Sequence, residues 1–244
     1  MILLDCGNST LKAQFQEAGS LRASFTIGYR EGWPRRLARW ISGFPAQRCL
    51  LASVLDATRQ AELDKCLADR FGDAVTRFVS RARAGGVINA YAQPERLGVD
   101  RWLALIGAAG MVDGDCIVID AGSAITLDLV RGDGQHLGGA ILPGINTSLE
   151  RFRQIFSYID FDDPRISATG APGCSTEAAI RIDYVGNSLV GLNDLVTRWT
   201  ELLDHNASLL LAGGDAWRVQ QSLKMPGRIV PDLVFRGMLR LARQ

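Results

Sequence analysis

The sequence CIVIDAGSAITLDLV, residues 116–130, decides the fold that we predict for this chain. Residues 117–119 are a β-branched run of the kind found in buried strands. The run ends at the carboxylate of Asp120, the small residues 121–124 make a tight turn, and an apolar strand resumes at Ile125. The stretch therefore predicts a β-hairpin with an acid and a glycine at its tip.

The chemistry of this tip suits phosphate groups. Gly122 allows a ligand to approach the backbone closely, and Ser123 offers a hydroxyl and an N–H group. A bent backbone with several N–H groups binds phosphate oxygens, and a carboxylate such as Asp120 suits the cation that accompanies them. The same pattern also occurs in hairpins that bind no ligand, so this turn alone leaves both interpretations open.

The N-terminal residues repeat the pattern. An apolar run, residues 2–4, leads to Asp5; Gly7 follows, small polar residues make the turn, and a second apolar strand begins near Leu11. Almost half the chain separates Asp5 from Asp120, which indicates two related halves. Two facing hairpin tips could then bind the phosphates of one nucleotide.

The composition is that of a globular protein. Of its residues, 47% are apolar and 22% are charged. The length of 244 residues is enough for one large domain or two of ordinary size. The net charge of +1, without a long basic run, predicts that no nucleic acid is bound. The N-terminus reads as a strand rather than a signal peptide, and the longest apolar stretch, near residues 103–112, is too short to cross a membrane.

The cysteines are odd in number and lack the spacing of a metal site. They are Cys6, Cys49, Cys66, Cys116 and Cys174. This usage predicts reduced thiols in a cytoplasmic protein. Cys6 lies in the N-terminal turn, where its thiol is either reactive or a small packing group.

The order of elements predicts an α/β layer fold with mixed sheets. Each half gives three strands, then a helix, a strand, a helix, a strand and a helix, with one extra helix in the second half. Residues 113–115 form the natural boundary, so we predict domains at 1–114 and 115–244. Residues 81–96 are predicted as a long functional or mobile loop. A long helix is predicted over 175–203, with a weak point near Gly186, and its apolar residues fit either a dimer face or ordinary core.

Six motifs, in the expected order along almost the whole chain, resemble the type III pantothenate kinases of the acetate and sugar kinase/Hsp70/actin superfamily. They are Asp5-x-Gly7-Asn8-Ser9-x-x-Lys12, Tyr91, Gly98-x-Asp100-Arg101, Asp120-Ala121-Gly122-Ser123-Ala124, Gly138-Gly139-x-Ile141-x-Pro143-Gly144 and Gly213-Gly214-Asp215-Ala216. One departure is Ser123, where the family more often has threonine; the hydroxyl is retained. Residues 151–173 carry no recognised motif.

The resemblance implies a fold and an activity. The fold is two ribonuclease H-like domains of mixed β-sheet with flanking helices, related by internal duplication, with a nucleotide cleft between them. The activity is ATP-dependent phosphorylation of pantothenate, the first step of coenzyme A synthesis. The cofactors are ATP with Mg²⁺ or another divalent metal, and a monovalent cation, K⁺ or NH₄⁺. The implied enzyme is a cytoplasmic homodimer.

The resemblance also implies residue roles. Asp100 is the general base, and the other residues bind pantothenate, the nucleotide or a cation. The pantothenate-binding residues are Tyr91, Gly98, Val99, Arg101 and Thr176. The nucleotide-binding residues are Asp5, Cys6, Gly7, Asn8, Ser9, Thr10, Lys12, Gly122, Ser123, Gly213 and Gly214. Asp120 holds the monovalent cation, and Asp5 orders the divalent metal through the phosphates.

The residues themselves leave several of these roles open. Asp100 fits either a general base or the cap of the helix that follows it. Arg101 fits either a carboxylate anchor or a surface salt bridge. Thr176 fits either an anion site or a helix cap.

Two alternative functions are also consistent with the sequence. The first is another kinase of the same superfamily, acting on a sugar or a short carboxylate. The second is a nucleotide-binding regulator that catalyses nothing, although the retained Asp5, Asp100 and Asp120 argue against an inactive enzyme.

Overall fold

The computed structural model describes residues 1–157, 174–176, 188–203 and 207–243. The chain forms two compact units, which we consider separately. The first combines Met1–Gly110 with Leu233–Gln244, and the second is Met111–Asp232.

The elements of the first unit occupy both ends of the chain. They are β1 (Ile2–Cys6), β2 (Thr10–Glu17), β3 (Ser20–Gly28), α1 (Trp33–Ser42), β4 (Cys49–Ser53), α2 (Ala57–Phe71), β5 (Val75–Arg77), β6 (Arg83–Ala84), β7 (Val87–Ile88) and α3 (Val99–Ala108), with the last helix of the chain. The second unit contains β8 (Cys116–Ala121), β9 (Ala124–Val130), β10 (His136–Pro143), α4 (Ile145–Ile155), α5 (Ser188–Thr200), β11 (Ser208–Ala212), α6 (Ala216–Ser222) and β12 (Arg228–Ile229). The last helix is α7 (Leu233–Ala242).

The two units contain sheets of the same topology. The first sheet has the order β3-β2-β1-β4-β5, and the second has the order β10-β9-β8-β11-β12. In each sheet the first three strands pair antiparallel, and the remaining two pairings are parallel. The predicted α/β fold with two duplicated mixed sheets is therefore confirmed.

Strand register places both hairpin acids beside the strand that pairs in parallel. Asp5 is opposite Ala52 on β4, and Asp120 is opposite Ala212 on β11. Parallel strands have their carboxyl ends at the same edge of a sheet, so each acid lies next to the loop that leaves β4 or β11.

Helices cover one face of each sheet with apolar side chains. In the first unit, Leu37 of α1 and Leu63 of α2 are fully buried against the sheet. In the second, Leu192 of α5 and Val219 of α6 are fully buried in the same way. The carboxylate of Asp56 accepts a hydrogen bond from the N–H of Arg59 (3.0 Å), which caps α2 as its sequence predicts.

The last helix does not follow the predicted domain boundary. The sequence predicts one domain over residues 115–244, whereas in the structure α7 belongs to the first unit and packs against α3. A Cβ atom on Gly107 would overlap the carbonyl oxygen of Leu233, and one on Gly237 would overlap that of Leu103. Two glycines on facing helices thus allow the backbones to approach closely, a pairing that element order along the chain does not reveal.

The segment predicted as a loop over residues 81–96 contains regular structure. β6 and β7 form a two-stranded hairpin, and Pro94–Arg96 form a 3₁₀ turn. Gly85 (φ 56°) and Gly86 (φ 83°) are both in the left-handed region that a two-residue hairpin turn requires. The predicted loop is therefore wrong for this part of the segment.

The long helix predicted over residues 175–203 is described only in part. Its described C-terminal portion is α5, which ends at Thr200. Gly186 and residues 158–173 lie outside the described residues. Within the described part of the chain, no helix combines the length and apolarity that crossing a membrane requires.

We expect the Gly237→Ala variant to lower the free energy of unfolding by about 1–3 kcal/mol, because the added methyl group must push α3 and α7 apart. The matched control is Gly191→Ala in α5, where nothing lies within 4 Å of the new Cβ atom. That control should gain about 0.5–1 kcal/mol from helix propensity. Urea unfolding of both variants measures the difference, and equal shifts in the two would contradict the proposed close packing.

Candidate active site

The first hairpin tip extends from the carboxyl end of β1. Asp5 is only 9% exposed, and Lys12 lies directly opposite it on β2, so the two side chains share one face of the sheet. The N–H of Gly7 donates to the carbonyl oxygen of Thr10 (3.1 Å) and closes the turn. Residues 8–10 are exposed, and a ligand can therefore reach the tip.

Cys6 is a packing residue in this structure. Its side chain is buried, and burial, followed by the nearby Asp5 carboxylate, raises the pKa of the thiol well above its usual range. Its carbonyl oxygen accepts the N–H of Val54 (3.0 Å). The predicted contact of Cys6 with a nucleotide can involve only its backbone, and the reactive-thiol alternative does not fit this environment.

Arg59 contacts the first hairpin, and the sequence motifs do not predict this contact. Its Nη1 donates to the carbonyl oxygen of Asn8 (3.1 Å), and its Nε lies 3.6 Å from the Asp56 carboxylate. Its guanidinium also lies over the ring of Tyr29, 5.1 Å from the centroid. Arg59 and Asn8 are 51 residues apart, so only the position of Arg59 three residues after a helix cap could have drawn attention to it.

Tyr29, whose ring contacts the Arg59 guanidinium, is the remaining member of this group of residues around the first hairpin. Its hydroxyl is buried and has no hydrogen-bond partner among the described residues. Burial is the main cause that raises the pKa of Tyr29, and the charges of Cys6 and Asp5 add to it. The phenol therefore stays protonated throughout the ordinary pH range.

The second hairpin tip meets the beginning of α4. The N–H of Gly122 donates to the carbonyl oxygen of Ala124 (2.9 Å) and closes the turn. The carbonyl oxygen of Ser123 accepts from the N–H of Gly144 (3.1 Å) and from the hydroxyl of Thr147 (2.6 Å). A side chain on Gly144 would overlap this hairpin, so glycine is required for the contact.

The turn after β11 packs against the base of the same hairpin. Gly213 has a φ of 91°, and a Cβ atom on it would overlap the carbonyl oxygen of Ala121 and lie 2.6 Å from Oδ1 of Asp120. The N–H of Asp215 donates to the carbonyl oxygen of Ala121 (3.0 Å). The predicted residues Asp120, Gly122, Ser123, Gly213 and Gly214 thus form one group.

A polar network holds this turn in place. The Asp215 carboxylate accepts from Nδ2 of Asn146 (3.2 Å) and from Nη1 of Arg218 (3.3 Å). Nη1 of Arg218 also lies 3.5 Å from Oδ1 of Asn146. Asn146 and Arg218 were not predicted, because the contacts of Asn146 span 69 and 72 residues of sequence.

Tyr91 and Arg101, two of the residues predicted to bind substrate, contact each other in the first unit. Nη1 of Arg101 donates to the Tyr91 hydroxyl (3.0 Å), and the guanidinium lies 5.8 Å from the centroid of the Tyr91 ring. Arg101 is only 7% exposed, which excludes the surface-salt-bridge alternative. The backbone N–H of Tyr91 is bound by the side chain of Asn89 (2.9 Å), which also donates to Arg81 and Pro94 and so fixes the segment.

Asp100 occupies the first turn of α3. The helix begins at Val99 with Gly98 as its N-terminal cap residue, and Oδ1 of Asp100 accepts from the N–H of Arg101 (2.8 Å). A Cβ atom on Gly98 would lie 2.5 Å from that same Oδ1, so glycine leaves space for the carboxylate. The side chain of Val99 is buried, and its predicted substrate contact would have to come from the backbone.

A pocket of about 530 Å³ opens at Tyr91. Tyr91, Ala92, Gln93 and Arg96 line it. Thr176, the remaining predicted substrate residue, is exposed, and residues 177–187, the next part of the predicted helix, lie outside the described residues. Among the described ranges 1–157, 174–176, 188–203 and 207–243, no group of three or more His, Cys, Asp or Glu side chains could hold a metal ion by itself.

Comparison with known proteins identifies the family. Residues 1–190 match the family model for type III pantothenate kinase. The type III pantothenate kinase of Pseudomonas aeruginosa is 36% identical over 244 residues, covering 98% of this chain and 97% of that protein. The chain belongs to the type III pantothenate kinase family.

Solved structures agree at the level of the fold. A Campylobacter jejuni protein described as a conserved candidate transcriptional activator of the Baf family has a TM-score of 0.60 and 23% identity, covering 100% of this chain and 98% of that one. A ROK family glucokinase from Streptomyces griseus, in complex with glucose and AMPPNP, has a TM-score of 0.52 and 13% identity, covering 100% and 99%. The two-sheet architecture of this family member is therefore shared with sugar kinases.

We expect the Arg59→Ala variant of this family member to loosen the first hairpin tip. Loss of one hydrogen bond to the Asn8 carbonyl should speed amide hydrogen exchange over residues 8–10 by about two- to tenfold. The exposed neighbour Thr58, changed to alanine, is the control and should leave the exchange rate unchanged. Unaltered exchange in Arg59→Ala would show that Arg59 does not order the tip.

We expect three of the five cysteines to resist alkylation at pH 8. Cys6, Cys49 and Cys116 are buried, and burial raises the pKa of Cys49 and of Cys116 from 9.0 to about 12. Mass spectrometry after iodoacetamide treatment should find these thiols modified only in urea. Rapid labelling of the folded protein at any of the three would contradict this environment.

The same thiols predict how stability depends on pH. The pKa values of Cys49 and Cys116 are higher in the folded state than in the unfolded state. Their contribution to the free energy of unfolding is therefore complete below pH 9 and is lost as pH rises toward 12. A Cys49→Ala/Cys116→Ala variant should therefore lose less stability between pH 8.5 and 10 than the wild type, by the linkage relation. Urea unfolding at several pH values makes this comparison.

Proposed function

We propose that the protein transfers the γ-phosphoryl group of ATP to the hydroxyl group of pantothenate, giving 4′-phosphopantothenate and ADP in the first step of coenzyme A synthesis. The observation that carries the proposal is the family match, over nearly the whole chain, to type III pantothenate kinases. Two Asp-Gly hairpins at equivalent places in two sheets of identical topology support it.

The nucleotide contacts follow from the two hairpins. In the first, the exposed tip residues Asn8 and Ser9 would donate backbone and side-chain hydrogen bonds to phosphate oxygens, with Thr10 beside them, and the half-buried Gly7 would let the phosphates approach the backbone. Lys12, opposite Asp5, would add a positive charge on the same face. In the second, the exposed Ser123 and its neighbour Gly122 would do the same, and the Gly213-Gly214 turn would lie against the adenosine.

Two carboxylates would serve the cations. Mg²⁺ keeps several waters and takes one or two carboxylates together with substrate phosphates, so a lone Asp5 beside a phosphate loop is a suitable ligand environment. When bound, the metal neutralises charge on the phosphate oxygens. Asp120, whose Oδ1 lies near the Gly213 backbone, would hold the monovalent cation, K⁺ or NH₄⁺.

Asp100 would act as the general base. Its carboxylate would accept the hydroxyl proton of pantothenate as the oxygen bonds to the γ-phosphorus and the bond from that phosphorus to ADP breaks. The hydrogen bond from the N–H of Arg101 holds the carboxylate in one orientation. Arg101, paired with Tyr91, would bind the carboxylate of pantothenate through its fork of donors.

We further propose a cytoplasmic homodimer, as the family resemblance implies, with Thr176 at the substrate. The protonated, buried thiols of Cys6, Cys49 and Cys116 are in line with a reducing compartment. Sedimentation of the purified protein gives the oligomeric state directly.

The test is ADP release with ATP, Mg²⁺ and pantothenate, in potassium and in sodium salts, for the wild type and the Asp100→Asn variant. We expect turnover that requires pantothenate and potassium, and a fall of roughly 10²-fold or more in the variant. The exposed Asp73 changed to asparagine is the control for loss of one surface carboxylate and should retain activity.

The outcomes separate the enzyme from its mechanism. Wild-type turnover that does not depend on pantothenate would reject this substrate and lead to a panel of sugars and short carboxylates. Full activity of Asp100→Asn would retain the kinase and reject Asp100 as the base. Equal rates in potassium and sodium would reject a selective monovalent site at Asp120.

A further inference from the structure

Trp217 is exposed in a protein whose other tryptophans are packed. Trp33 and Trp102 are buried, and Trp40 and Trp199 pack against the two cores. Trp217, by contrast, is 52% exposed. The exposed ring offers a flat apolar face and an N–H group to a ligand.

Trp217 lies in the first turn of the short helix α6. This helix begins at Ala216, directly after the turn formed by Gly213, Gly214 and Asp215, and its residues Ala216 and Val219 are buried. The preceding residue in the turn, Asp215, donates its N–H to Ala121 at the base of the second hairpin. The helix that carries Trp217 is therefore anchored to the base of the second hairpin.

Arg218 orders the surroundings of the indole. Its guanidinium lies 5.3 Å from the centroid of the Trp217 ring. The same guanidinium is bound to Asp215 (3.3 Å), which in turn accepts from Asn146 (3.2 Å). The guanidinium beside the ring thus belongs to a polar network that includes Asp215 and Asn146.

The turn that precedes α6 leaves space for a flat ligand. Nothing lies within 4 Å of the Cβ position of Gly214, and this residue is exposed. A planar base could therefore lie along the backbone of the turn while its face meets the indole. Aromatic side chains bind bases in this way because every base has a π-face.

We propose that Trp217, oriented by Arg218, stacks on the adenine ring of the nucleotide whose phosphates bind the second hairpin. The inference rests on the proposed nucleotide binding at that hairpin and adds the group that recognises the base. It assigns part of the affinity for ATP to a side chain that takes no part in phosphoryl transfer.

The test measures binding of ADP and of inorganic tripolyphosphate, without pantothenate, by calorimetry. Trp217→Ala should weaken ADP binding by about 5- to 100-fold, whereas Trp217→Phe, which keeps a ring, should stay within about threefold of the wild type. Tripolyphosphate has no base, so its affinity should be equal in all three proteins. Leu202→Ala, at another exposed apolar residue of this unit, is the matched control and should bind ADP normally.

Fluorescence supplies a second readout. ADP should quench the tryptophan emission of the wild type and of Leu202→Ala, and the quenching should disappear in Trp217→Ala. In steady-state assays, Trp217→Ala should raise KM for ATP and leave kcat unchanged.

Distinct results overturn distinct statements. If the wild type binds neither ADP nor tripolyphosphate, the proposed nucleotide function fails together with this inference. If the wild type binds ADP and Trp217→Ala binds it equally well, only the stacking role fails. A loss of tripolyphosphate affinity equal to that of ADP, or a change of oligomeric state in sedimentation, would show instead that Trp217 supports the hairpin or an interface between copies.

Discussion

Each unit depends on one strand whose penultimate residue is an aspartate and which is paired on both sides. β1 and β8 pair antiparallel with the next strand of their hairpin and parallel with β4 and β11, respectively. The parallel pairing brings the carboxylate, the hairpin tip and the loop that begins the next helix to one edge of the sheet. Carboxylates and exposed N–H groups at one edge are what a phosphate with its cation requires.

The two units hold their hairpins by related means. α2 and α6 each begin after an aspartate, and an arginine three residues later pairs with it, Arg59 with Asp56 and Arg218 with Asp215. Arg59 reaches the hairpin backbone directly, whereas Arg218 acts through Asp215 and Asn146. In the second unit Gly144 and Gly213 also hold the hairpin, because a residue with a Cβ atom at either position would overlap the hairpin backbone.

Local sequence was sufficient for the duplicated sheets and for the hairpin motifs, because strands, turns and caps are encoded within a few residues. It was insufficient where a contact joins distant segments. Asn146 carries no local signal, and Arg59 has only its position three residues after a helix cap. Asn89 organises a stretch that resembles a loop because its strands are only two residues long. The placement of α7 depends on Gly107 and Gly237 facing each other, which neither segment indicates alone.

The pairing of α3 with α7 has a consequence for how the protein is made. α3 carries Asp100 and Arg101, and the helix that it packs against begins at Leu233. Domains usually fold as they leave the ribosome, N-terminal parts first. Here the whole second unit, residues 111–232, is synthesised between α3 and α7, so α3 has no helix to pack against until those residues have been made. Residues 1–110 therefore cannot complete their fold until residues 233–242 have been synthesised, and the helix that bears Asp100 is assembled only after the sequence of the second unit has been made.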